Sequence, residues 1–111
     1  MILSEAQKQR IKQDLADRLR GEPEVRRVVV FGSFLTSGDP NDLDVAVFQD
    51  STETYLPLAI KYRRLLGPVA DVIPIDVIPV RPSPEPGEFL DEILSGEVVY
   101  ERQRERERGD S

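Results

Sequence analysis

Residues 28–48 read VVVFGSFLTSGDPNDLDVAVF, and this stretch decides the fold. Val28 to Phe31 is apolar and β-branched, Gly32-Ser33 stops it, and Thr36 to Asn41 (TSGDPN) is turn chemistry throughout. Asp42 to Phe48 then reads as a second strand that opens with Asp-Leu-Asp. The short gap makes the two strands neighbours. Side chains on a strand alternate, so Asp42 and Asp44 are expected on one face and Leu43, Val45 and Val47 on the other. The two carboxylates stand roughly 6.6 Å apart along the strand and can converge on one or two cations. Without a cation they repel each other.

The residues before the loop complement this pair. Gly32 permits close backbone approach, and Ser33 offers a hydroxyl and an N–H where a helix begins, a combination suited to a phosphate oxygen. A phosphate grip beside a carboxylate-held Mg²⁺ is the minimum apparatus for moving a nucleotidyl group. A third carboxylate would help to deprotonate an attacking hydroxyl. Asp76, in PIDVIPV, lies within a regular apolar alternation and is the favoured third acid; Asp71, in PVAD, is its rival.

Composition limits the chemistry to that kind. The chain has 111 residues, enough for one sheet with a few helices but not for two cores. It contains no Cys and no His, which removes disulfides, structural zinc and imidazole acid–base catalysis. Carboxylates, hydroxyls and amines remain, and a hard cation such as Mg²⁺ or Mn²⁺ suits them. The formal charge of −6 argues against broad binding to a nucleic-acid backbone. No apolar run approaches the roughly 20 residues of a membrane span. The start, MILSEAQKQR, lacks the features of a signal peptide, so the cytoplasm is the expected location.

Outward from the central stretch the elements follow from periodicity. Residues 4–20 predict a helix with a Ser4/Gln7 capping box, an Ile11, Leu15, Leu19 stripe and Gly21 as its stop. Lys8, Arg10, Lys12, Asp14 and Arg18 are expected on its solvated faces. Val25 to Phe31 is a strand that becomes buried toward its end. Thr54 can cap a helix over roughly 55–66, with Tyr55, Leu58, Ala59, Tyr62, Leu65 and Leu66 as its apolar face and Gly67-Pro68 as its end. Lys61, Arg63 and Arg64 read as a solvated face. Ile75 to Val80 is the expected third strand, marked as irregular or at an edge by Pro74 and Pro79. Arg81 to Gly87 is a stiff Pro-rich connector. Glu88 to Leu94 is a short helix, Ser95-Gly96 a stop and Glu97 to Tyr100 a last strand. The expected division is a domain over 1–101 and a charged tail over 102–111 with no apolar residue and no fixed structure.

Gly32-Ser33, the intervening loop and Asp42-x-Asp44 resemble the signature of the DNA polymerase beta superfamily of nucleotidyltransferases, and the small stand-alone (minimal) type most of all. Asp76 resembles the family's third acidic strand, and FLDEILSGEVVYE its closing helix and strand. The resemblance implies an α/β (α+β) fold, a mixed sheet of three to four strands flanked by helices. It also implies two divalent metals on Asp42, Asp44 and Asp76, an NTP held by Gly32 and Ser33, and transfer of a nucleotidyl group, adenylyl from ATP being the expected case. It further suggests the antitoxin half of a toxin–antitoxin pair, with a helical HEPN-type toxin as partner. Two features depart from the family pattern. The places after Gly-Ser where members often carry Arg and then Gly hold Thr36 and Ser37, with Gly38 one step late, and the loop is short. These departures favour the competing reading, a catalytically weak or inactive module of the same fold that docks a partner. An unrelated small α/β interaction domain, with an incidental Asp pair, is the third. Self-association is left open.

Overall fold

The computed structural model describes residues 2–81 and 88–102; most of the expected connector (82–87) and residues 103–111 of the expected tail lie outside them. Four strands form one sheet: β1 (Val25–Phe31), β2 (Leu43–Gln49), β3 (Ile75–Val80) and β4 (Glu97–Glu101), in the order β3-β2-β1-β4. β1 is antiparallel to β2 and β4, while β2 and β3 run parallel. The sheet is therefore mixed, as expected. A parallel neighbour needs a crossover. Helix α3 (Tyr55–Leu65) and the single turn α4 (Gly67–Ala70) supply it.

The central strands are apolar on both faces because both faces are covered. Val28, Val30, Leu43, Val45, Val47 and Val77 face a large core with Ile11, Leu15 and Leu19 of helix α1 (Glu5–Leu19) and Leu58, Tyr62 and Leu66 of the α3 region. Val29, Phe31, Ala46 and Phe48 face a smaller cluster closed by Ile93 of helix α5 (Glu88–Leu94). Phe34, in the short helix α2 (Ser33–Thr36), fills the large core below the loop.

Helix α1 carries the expected capping box: Gln7 N–H donates to Ser4 Oγ at 3.1 Å, and Ser4 N–H to Gln7 Oε1 at 2.7 Å. Three expectations change. Gly21 makes no left-handed stop, since Gly32 is the one residue with positive φ among those described. Tyr55 is exposed, because the buried stripe of α3 is Leu58, Ala59 and Tyr62. Lys8 is 5% exposed, on the same face as Ile11 and Leu15. Its Nζ donates to Ser37 O at 2.6 Å and lies 5.5 Å from the centre of the Phe34 ring. With Leu3 N–H donating to Gly38 O at 3.0 Å, this ties α1 to the loop after α2.

Arg102, expected in the tail, belongs to the fold. Its guanidinium donates to Val25 O, Arg20 O and Glu22 O at 2.9–3.0 Å, and its N–H to Arg26 O at 2.9 Å. It closes the turn between α1 and β1. The same turn is held on its other side. Tyr62 Oη donates to Glu24 Oε2 at 2.8 Å, and Lys61 Nζ reaches Glu22 and Glu24 at 2.8 and 2.9 Å. Burial pushes the Glu24 carboxyl up, but the hydrogen bonds from Lys61, its own backbone N–H and Tyr62 outweigh it and hold the group below its ordinary value. Burial and the bond to Glu24 push the Tyr62 hydroxyl strongly up. The bonds to Glu22 and Glu24 raise Lys61.

Candidate active site

One end of the sheet gathers the residues singled out from the sequence. β1 ends at Phe31, β2 begins at Leu43 and β3 begins at Ile75, so the Gly-Ser break and the acidic positions meet at the same edge. Phe31 pairs with Asp44, and Asp44 pairs with Asp76 on the parallel neighbour. Paired residues on adjacent strands share a face, and strands stand about 4.8 Å apart. Asp44 and Asp76 thus lie side by side on the face that carries Ala46, Phe48, Ile78 and Val80. They extend that apolar face into solvent at its open end.

Gly32 sits against this pair. Its φ of 82° and ψ of −160° belong to a region that only glycine enters freely. A Cβ placed there would lie 2.5 Å from Asp44 Oδ2. The backbone therefore passes the carboxylate where no side chain fits. Ser33 opens α2 and is exposed. Asp42 lies one residue before β2 and is also exposed.

Asp44 and Asp76 stand side by side, and Asp42 precedes them outside the strand. Among the described residues no group of three acidic side chains converges closely enough to ligate one metal ion. Asp42 lies outside the strand that fixes Asp44, and without a cation between them the carboxylates repel one another. The donor set itself suits a hard divalent cation, being carboxylate oxygens on two adjacent strands with backbone clearance at Gly32. Asp71 is elsewhere: it caps α4, off the strand that carries Asp76.

Two cations near the site were read from the sequence as solvated. Arg63, in the last turn of α3, has Nη2 3.5 Å from Asp76 Oδ1. Lys8 holds the carbonyl just beyond α2. Its position three residues before Ile11 places it on the apolar stripe, so periodicity carried the signal for Lys8. Nothing local in the sequence pointed Arg63 to Asp76.

Known proteins of this shape share the arrangement of elements. The chain is similar to the MNT antitoxin structure solved with the tri-AMPylated HEPN toxin of Shewanella oneidensis, with a TM-score of 0.61 at 18% identity over 91% of this chain and 78% of that one. It is also similar to a structure of the MntA–HepT toxin–antitoxin complex, with a TM-score of 0.59 at 17% identity over 90% and 78%. A mutant of such a complex, in which two aspartates two residues apart are replaced by glutamate, gives 0.57 at 17% identity over 91% and 78%. At such identities the likeness is one of fold. No curated protein matches the chain significantly. A family model described as polymerase beta, nucleotidyltransferase, matches residues 13–105, and with most of its length so matched the chain belongs to the polymerase beta-like nucleotidyltransferase family.

Proposed function

We propose that this chain is a Mg²⁺-dependent nucleotidyltransferase that moves an adenylyl group from ATP to a hydroxyl of a partner protein. The observation that carries the reading is the register of Asp44 beside Asp76 at the Gly32 turn, which puts two acids next to a backbone that can approach phosphate. Ser33 binds a phosphate oxygen through its hydroxyl and N–H. Asp42 and Asp44 hold the cation, with Asp76 as the third carboxylate. Mg²⁺, when bound, polarises the α-phosphorus and neutralises charge on the departing pyrophosphate. Asp76 takes the proton of the attacking hydroxyl. The new bond joins that oxygen to the α-phosphorus, and the bond to pyrophosphate breaks.

The similar solved structures named above are toxin–antitoxin complexes, and in one of them an MNT antitoxin is bound to a tri-AMPylated HEPN toxin. By analogy the acceptor is a helical HEPN-type toxin, and the pair acts in the cytoplasm. No helix among the described residues is long and apolar enough to cross a membrane. A second reading keeps the fold and the partner but not the chemistry. Thr36 and Ser37 stand where family members often carry Arg and then Gly, so the loop lacks a cation to grip phosphate, and among the described residues the acids do not converge, both of which favour a docking module.

Labelled ATP, Mg²⁺ and the cognate toxin decide between the two. Transfer of label to the toxin with release of pyrophosphate is expected, and Asp44→Asn should abolish both. Asp76→Asn should reduce turnover more than ATP affinity. Absence of transfer by the unaltered protein, with the partner bound, would leave the docking module as the function.

A further inference from the structure

The acidic row ends in a cation. Gly32 lies at its inner end, Asp44 and Asp76 follow on β2 and β3, and Arg63 stands at the outer end. α3 packs on the large core, whereas Asp76 faces the other side of the sheet with Ile78 and Val80. β3 is an edge strand, so the Arg63 side chain reaches Asp76 around that edge. Both side chains are open to water, at 59% and 65% exposure, and 3.5 Å is longer than a charge-assisted hydrogen bond. Among the described residues the guanidinium has no other polar partner. An ion pair this exposed adds little to stability.

The loop that should grip phosphate contains no cation: Ser33 to Asn41 reads SFLTSGDPN. Lys8 is buried and committed to Ser37 O, and Lys61 is committed to Glu22 and Glu24. Arg63 is charged, uncommitted beyond one loose contact, and placed at the acids. A guanidinium fork matches phosphate oxygens. A divalent cation arriving at Asp44 and Asp76 would repel Arg63 and take its anion, while a triphosphate arriving with that cation would offer a better one.

We propose that Arg63 is a nucleotide-binding residue that exchanges anions, pairing with Asp76 in the empty site and with the polyphosphate once the cation and nucleotide enter. This rests on the nucleotidyl-transfer reading and adds the residue that supplies the missing positive charge.

Exchange gives opposite signs in two titrations of the full chain, read by calorimetry and thermal shift. With Mg²⁺ or Mn²⁺ alone, Arg63→Ala should bind metal roughly threefold tighter, because a competing charge beside the ligand is gone. With ATP and Mg²⁺ together it should bind about tenfold weaker, the loss of one charge-assisted contact. Arg63→Lys should keep the metal affinity of the unaltered protein and recover only part of the nucleotide affinity. The melting temperature without ligand should stay within a degree or so, as for an exposed pair. Unchanged affinity in either titration, or weakening in both, would overturn the exchange. Asp44→Asn separates the two claims. If it removes metal-dependent ATP binding while Arg63→Ala does not weaken it, only the role of Arg63 fails. If Asp44→Asn leaves that binding intact, or the unaltered protein shows none, the nucleotide site itself is misplaced and both fall.

Discussion

Replacing Gly32 by alanine tests the fold and the site in one measurement. At φ 82° and ψ −160° the backbone occupies a region closed to residues with a Cβ, and holding alanine there costs about 1–3 kcal/mol. The new methyl would also stand 2.5 Å from Asp44 Oδ2 and 3.5 Å from its Cγ. A carbon and an oxygen need close to 3.3 Å, so the carboxylate must turn or the strand must move. Because Oδ2 is the end of a side chain, turning is the cheaper response and adds about 0.5–1 kcal/mol, the range of a displaced rotamer. The sum, roughly 1.5–4 kcal/mol, is a large share of the 5–15 kcal/mol typical of a domain.

Urea unfolding of Gly32→Ala, Asp44→Ala and the double variant apportions the two effects. Asp44→Ala removes Oδ2 and Cγ, leaving only its Cβ at 3.7 Å, an ordinary contact. In that background Gly32→Ala should cost only the backbone part, so the coupling should be about 0.5–1 kcal/mol. Zero coupling would refute the close approach between the turn and the carboxylate. A total below about 0.5 kcal/mol in both backgrounds would refute the glycine-only conformation. The same variant should lose metal-dependent ATP stabilisation even where it stays folded, because the turned carboxylate no longer faces Asp76.

Three further outcomes are expected. A chain ending at Arg102 should keep its stability, since Gln103 to Ser111 contains no apolar residue, whereas Arg102→Ala should lose about 1–3 kcal/mol by freeing three carbonyls of the α1–β1 turn. Urea melts of the two forms check this; equal stability would refute the anchor. Glu24 is held below the ordinary carboxyl value, so its contribution is present above that ordinary value and fades as pH falls through the lower folded value. Glu24→Gln should therefore flatten the acid limb of the stability curve, and an unchanged limb would show that the Tyr62 and Lys61 contacts do not favour the charged form. Gly96→Ala should be strongly destabilising, because its Cβ would lie 2.4 Å from the backbone oxygen of Val30, which cannot swing aside, and 2.9 Å from Phe31 Cβ. A loss below about 1 kcal/mol would mean that β4 sits farther from β1.

The sequence made the elements legible wherever one residue's environment depended on near neighbours. The capping box of α1, the bounds of β3 and α5, and the alternation around Asp44 are set by spacings of two to four residues, and the structure keeps them. Misreadings fell where a distant element decides. Periodicity puts Lys8 on the buried stripe, but its partners Phe34 and Ser37 lie far along the chain, and Arg102 looks like tail until the α1–β1 turn presents three carbonyls. Arg63 looks like helix surface until β3 becomes an edge.

The candidate site lies between these two kinds of information. Asp44 and Asp76 belong to different strands, and no local rule joins them. What joins them is register: Leu43 N–H donates to Pro74 O at 2.8 Å, and from there Leu43 pairs with Ile75, Asp44 with Asp76 and Val45 with Val77. Ile75 and Val77 pack on the large core, so alternation turns Asp76 to the opposite face. A slip of one residue would drive Asp76 into that core and bring Ile75 and Val77 out, at several kcal/mol for a buried unpaired carboxylate and two exposed apolar side chains. The core thus selects the one register that also sets two acids side by side. Substitutions at Val77 should accordingly disturb metal-dependent nucleotide binding as well as stability, although Val77 faces away from the site. A Val77→Ala protein that is less stable yet binds ATP and Mg²⁺ with unchanged affinity would show that the acids hold their places without that core.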